Sequence, residues 1–153
     1  MKRIIVGVYD RTYCAPFAHV LAELGTTHAW VVHGADGLDE VSTTGPTYVA
    51  ELKNGTVTEF TISPEDIGLP TATLDVLRGG DGPHNALYLR ALLDGETGPY
   101  RDIVLFNAAA ALYICNKVSS LKEGVEVSAL AIDDGGARKA LANLVDVSNR
   151  DAG

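Results

Sequence analysis

Ile4-Ile5-Val6-Gly7-Val8-Tyr9 and, one segment later, His28-Ala29-Trp30-Val31-Val32-His33 frame the part of the chain that decides the fold. Both runs are short, apolar and rich in β-branched residues, the composition of buried strands. Between them, residues 13–24 place Phe17, Val20, Leu21 and Leu24 at the i, i+3, i+4, i+7 spacing of an amphipathic helix, with Gly25 to close it. Pro16 fits such a helix only in its first turn, where the missing N–H costs nothing. Strand, helix and strand with short connections form a βαβ unit, so the two strands run parallel with a right-handed crossover.

Beyond Gly34 the pattern changes. Residues 47–52 and 56–62 flank Asn54-Gly55, a pair that favours the two positive φ angles of a tight hairpin turn. This antiparallel ribbon belongs at a sheet edge. Residues 64–80 read as loop and short helix, and Asp81-Gly82-Pro83 as the cap and first turn of a helix reaching Leu93. Residues 103–115 are apolar all round, the mark of a helix buried between other elements. Ser120-Leu121-Lys122-Glu123 is a capping box that opens a helix with Leu121, Val125, Ser128 and Ile132 on one side. Asp134-Gly135-Gly136 ends it, and Ala137, Ala140, Leu141 and Leu144 mark a last helix. The expected class is α/β: a mostly parallel sheet with an antiparallel hairpin at its edge, flanked by helices. Two clear central strands and a ribbon are few for a doubly wound sheet, so the chain reads as part of a larger α/β domain.

The 153 residues fit one domain, and no repeat or low-complexity tract divides them. A net charge of −8 and a pI near 4.8 argue against nucleic acid and anionic membrane surfaces as partners, since both need clustered Lys and Arg. So acidic a chain could meet a phosphate ester only through a divalent cation, helix N-termini or groups from elsewhere. Cys14 and Cys115 show neither a CxxC pair nor disulfide spacing, and Cys14 reads as an inert buried thiol. The apolar run after Lys2-Arg3 stops at Asp10-Arg11, too short for a signal sequence or a membrane span. A cytoplasmic protein is expected.

Chemistry concentrates in His33-Gly34-Ala35-Asp36-Gly37-Leu38-Asp39-Glu40-Val41-Ser42-Thr43-Thr44-Gly45-Pro46-Thr47. This segment leaves the C-terminal end of a strand, where open α/β sheets bind their ligands. Adjacent Asp39 and Glu40 on a turn can aim oxygens at a hard cation such as Mg²⁺. On spacing alone the same pair reads as a solvated turn, His33 as a strand-end histidine bonded to backbone, and the Ser/Thr run as turn-making residues. Asn107, polar on a buried helix, must have partners there, and packing or network duty is expected of it rather than catalysis.

The same segment resembles its counterpart in the anthranilate phosphoribosyltransferases, a family of the glycosyltransferase family 3 fold. The resemblance continues in order through Val6-Gly7-Val8-Tyr9-Asp10, residues 47–52, Pro64-Glu65-Asp66-Ile67-Gly68-Leu69, and Gly79-Gly80-Asp81 with Asn85-Ala86. It goes on through Arg101-Asp102-Ile103-Val104, Asn107-Ala108-Ala109-Ala110-Ala111-Leu112, Leu121-Lys122-Glu123-Gly124 and Ala131-Ile132-Asp133. It covers nearly the whole chain. Asn116 stands where the family usually has glycine; Asn tolerates that left-handed position too.

The resemblance implies that Asp39 and Glu40 bind Mg²⁺, which bridges to the diphosphate of phosphoribosyl diphosphate. No catalytic residue is carried over. The implied reaction transfers phosphoribosyl to anthranilate in tryptophan biosynthesis, and the family is homodimeric. Residues 1–153 would be the C-terminal portion of the family's α/β domain. The N-terminal helical domain, the glycine-rich phosphate loop, the Lys-His-Gly-Asn segment and the anthranilate-holding arginine are not in it. The chain alone is therefore expected to be inactive and to need the missing N-terminal half as a partner. Two further readings stay open: a sibling resembling pyrimidine-nucleoside phosphorylases, and an inactive truncated subunit or interaction module.

Overall fold

In the computed structural model, which describes residues 2–150, β1 (Lys2–Gly7) and β2 (Thr26–Gly34) pair in parallel, and α1 (Cys14–Glu23) crosses between them. The chain then returns through a loop with no helix in it, so β3 (Thr47–Lys53) runs antiparallel to β2, and β4 (Thr56–Ile62) antiparallel to β3. Asn54 and Gly55, with φ of 51° and 84°, form the hairpin turn, as their side chains allow. Strand order is β1-β2-β3-β4, with the hairpin at one edge and β1 at the other. The α/β class and the edge hairpin stand as expected. Within the described sheet, however, one pairing is parallel and two are antiparallel. A parallel β2–β3 pair would have needed a long crossover, usually a helix, and residues 35–46 provide none.

The period of two along β2 sorts its side chains between two layers. Trp30 and Val32 face a core shared with Val49, Ile62, Phe106 and Ile114, whereas Ala29 and Val31 face Cys14, Ala18 and Leu21 of α1. The first core is closed by α4 (Pro99–Ile114), which starts four residues before the expected apolar run and buries most of its circumference. Three further helices, α3 (Gly82–Leu93), α5 (Leu121–Asp133) and α6 (Gly136–Ser148), stack beyond it, and the one-turn helix α2 (Leu74–Leu77) lies in the connection before them. Asp81 caps α3 by accepting from His84 N–H at 2.9 Å. The expected capping box of α5 is displaced by one residue: Ser120 accepts from Glu123 N–H, but the Glu123 carboxylate bonds Ser119. Among the described residues, no helix is long and apolar enough to cross a membrane.

The buried face of α1 corrects the sequence expectation. Cys14, Ala18 and Leu21 are buried, while Phe17, Val20 and Leu24 are 40, 47 and 63% exposed. Small residues let the helix lie close against Ala29 and Ala50. Of the expected stripe, Leu21 is buried, whereas Phe17, Val20 and Leu24 are turned outward.

Candidate metal centre at the end of the second strand

Residues 34–47 form a loop tied by its own backbone. Gly34 N–H donates to Leu38 O at 2.8 Å, Gly37 N–H to Gly34 O at 2.9 Å, and Ala35 N–H to Pro46 O at 2.9 Å. Asp36 is the centre of the knot: one carboxylate oxygen accepts from Leu38 N–H at 3.0 Å, and the other from the hydroxyls of Ser42 (2.6 Å) and Thr44. Burial alone would raise the Asp36 pKa, but the Ser42 and Thr44 hydroxyls and the Leu38 N–H together hold it below the ordinary value. The Ser/Thr run is thus turn-making, as one of the sequence readings had it. His33 is likewise satisfied by backbone, its Nδ1 donating to Val8 O at 2.9 Å.

Asp36 spends its oxygens inside the loop; its neighbours do not. Asp39 and Glu40 are exposed, and among the described residues neither side chain accepts a hydrogen bond or meets a Lys or Arg. The Glu40 pKa is raised, first by partial desolvation of its carboxyl and then by the charges of Asp39 and Asp36. Two crowded carboxylates without a cation are the donor set a hard divalent ion relieves. Among the described residues there is no cluster of three or more His, Cys, Asp or Glu. A pair fits Mg²⁺, which takes one or two carboxylates and completes its shell with water and substrate phosphate. An all-protein cage such as Zn²⁺ uses is not present among these residues.

The pair is held from both sides. Val41, the next residue, is buried in the core, and its N–H and C=O are both bonded to the Asn107 carboxamide of α4, at 3.0 and 2.7 Å. On the other side Gly7 ends β1 directly against the loop, where a Cβ would fall 1.5 Å from the Asp39 carbonyl oxygen. Beside Glu40 opens a cavity of about 590 Å³, walled by Leu38, Leu77, Ile103 and Val104, with Arg78 and Asn107 as polar members. Sequence reasoning singled out Asp39 and Glu40 but missed the roles of Asp36 and Gly7. The Ser42 and Thr44 hydroxyls were the signal for Asp36, whereas nothing local marked Gly7. Cys14 is buried as expected, and that burial raises its pKa.

The chain is similar to known proteins in sequence and in fold. The sequence model of the glycosyl transferase family, α/β domain, matches residues 1–138. The anthranilate phosphoribosyltransferase of Parvibaculum lavamentivorans is 52% identical over 149 residues, covering 97% of this chain and 44% of that protein. Among solved structures, the anthranilate phosphoribosyltransferase of Thermus thermophilus superposes with a TM-score of 0.86 at 36% identity, over 95% of this chain and 43% of its own. The Saccharomyces cerevisiae enzyme in complex with PRPP and Mg superposes with a TM-score of 0.84 at 27% identity, over 94% of this chain and 42% of its own. The chain therefore spans less than half the length of the relatives it matches.

Proposed function

The chain belongs to the glycosyl transferase family by its α/β domain, and from that premise we propose that residues 1–153 are the C-terminal portion of an anthranilate phosphoribosyltransferase. In this reading the whole protein transfers phosphoribosyl from phosphoribosyl diphosphate to anthranilate, in cytoplasmic tryptophan biosynthesis. This portion supplies the Mg²⁺–diphosphate site, Asp39 and Glu40. The observation that carries the proposal is the pair itself: adjacent exposed carboxylates at a strand's end, with the Glu40 pKa raised and no cationic partner among the described residues. A yeast relative is described in complex with PRPP and Mg, which supports the choice of ion and ligand.

Bound there, Mg²⁺ would neutralise charge on the diphosphate and let it approach a chain of net charge −8. The remaining work of these residues is positional. Asp36 keeps the loop folded with its oxygens turned inward, so that Asp39 and Glu40 alone face a ligand. Displacement of diphosphate by an aromatic amine depends mostly on holding both reactants and stabilising charge. The groups that grip the ribose phosphate and anthranilate are proposed to come from the other half of the longer protein.

The test is a complex of this chain with the complementary N-terminal half of a relative. Asp39→Asn with Glu40→Gln should weaken Mg²⁺-dependent binding of phosphoribosyl diphosphate and leave its Mg²⁺-independent binding alone. Unchanged Mg²⁺ dependence would overturn the assignment. The chain without that half should show no turnover with phosphoribosyl diphosphate, Mg²⁺ and anthranilate.

A further inference from the structure

Nothing among the described residues bonds the carboxylates of Asp39 and Glu40, so their direction is set by the backbone beneath them. We propose that Asn107 is the positioning residue for this pair: its carboxamide, reaching from α4, fixes the peptide that follows Glu40 and so sets where the two acids present their oxygens. The proposal rests on the reading of Asp39 and Glu40 as ligands of a divalent ion.

Asn107 Oδ1 accepts from Val41 N–H at 3.0 Å, and that N–H belongs to the Glu40–Val41 peptide. Its Nδ2 donates to Val41 O at 2.7 Å and to Ile103 O, one turn back in α4, at 3.0 Å. Both amide hydrogens are therefore used, and the carboxamide has one orientation only. Flipped, it would set NH₂ against N–H and oxygen against oxygen. The third bond ties the amide to its own helix, so the loop is referenced to α4, which is packed into the main core through Phe106, Ala110 and Ile114. The Val41 side chain enters the same core, and the Gly7 backbone stops the loop from moving toward β1. A loop that needed only to be closed already has the Asp36 knot. The Asn107 grip is on the two peptides either side of Val41, the first shared with Glu40 and the second with Ser42 of that knot. Groups hydrogen-bonded directly to a metal ligand are worth about ten- to a hundred-fold in metal affinity; Asn107 acts one step further back, through the backbone of the ligand loop, so the low end of that range is expected.

The test uses the full 153-residue chain. Its probe is Mn²⁺ with inorganic diphosphate, followed by the electron paramagnetic resonance of free Mn²⁺ well below the thermal transition. Asn107→Ser removes both bonds to Val41. Asn107→Gln keeps the amide but moves it by one methylene, which the adjoining cavity of about 590 Å³ has room to take, so this variant should fold. Leu92→Ala, in the separate cluster of α3, α4 and α5, controls for lost stability alone. Both Asn107 variants are expected to bind Mn²⁺ about ten-fold more weakly, while Leu92→Ala binds like the wild type. Should the Ser variant not fold, the Gln variant decides. A folded Asn107 variant with wild-type affinity overturns the proposal and leaves the metal reading intact. Wild-type Mn²⁺ binding that survives Asp39→Asn with Glu40→Gln overturns the metal reading, and this proposal with it.

Discussion

The two faces of the sheet are built from the same strands and closed very differently. On the α4 face, Trp30, Val32 and Val49 meet Phe106, Ala110 and Ile114, all buried. A polar set is paired within it, Glu51 accepting from His28 Nε2 at 2.9 Å and from Trp30 Nε1 at 3.0 Å. On the α1 face the close contact is made by small side chains, Cys14 and Ala18 against Ala29 and Ala50, with Leu21 and Leu52 beside them, while Phe17, Val20 and Leu24 point away. Close approach of a helix needs small residues at the contact, and that requirement overrode the better apolar stripe. Periodicity marks a face as apolar; the partner's shape decides whether it is buried.

The sharpest way to break the comparison is to remove one large side chain from each face. Phe106→Ala should cost about 3–5 kcal/mol, because the residue is fully buried and leaves a cavity. Against a total stability of about 5–15 kcal/mol, that loss would bring the chain close to unfolding. Phe17→Ala should change stability by less than about 0.5 kcal/mol, as surface substitutions do. Urea titrations of the two variants give both numbers, and equal losses would end the distinction between the faces.

A smaller effect tests the polar part of the closed face. Glu51→Leu strands the His28 and Trp30 N–H groups, and should cost about 1–3 kcal/mol for buried donors left unmade. Glu51→Gln keeps an acceptor at that point and should recover most of the loss. Equal melting temperatures for the Leu and Gln variants would mean that water or a rearranged partner replaces the carboxylate.

What the sequence made legible follows from range. The βαβ order, the Asn54-Gly55 turn, the Asp81 cap and the positive φ of Asn116 are written in neighbouring residues, and each is in place. The Asp39-Glu40 pair could be named for the same reason, though not its setting. Which of three nearby acids would fold inward depended on Ser42 and Thr44 turning back onto Asp36. The pairing of Asn107 with Val41 spans 66 residues and has no local signal beyond a polar residue in an apolar helix. The buried side of α1 was illegible because Cys14-Ala18-Leu21 and Phe17-Val20-Leu24 are both sound helical stripes. Only the sheet beneath chose between them.

The smallest expected change in stability goes with a large change in association. Beside the outward stripe of α1, β1 stands at the edge of the described sheet, where its strand partner is β2. Ile4 on that strand is 41% exposed. An open strand edge is a template for another chain, and an adjoining apolar stripe adds non-directional attraction to it. Charge opposes this only weakly, since at physiological salt the repulsion between two chains of −8 is screened beyond about 8 Å. The isolated chain should therefore self-associate in sedimentation velocity runs and bind a hydrophobic dye in native buffer. Phe17→Ser with Val20→Ser should lower both signals and leave the unfolding midpoint almost where it was, since neither side chain belongs to a core cluster. A wild-type chain that sediments as one monomeric species, binds no dye and melts cooperatively would show that this face needs no cover. The contrast between the two sides of the sheet would then be one of packing alone.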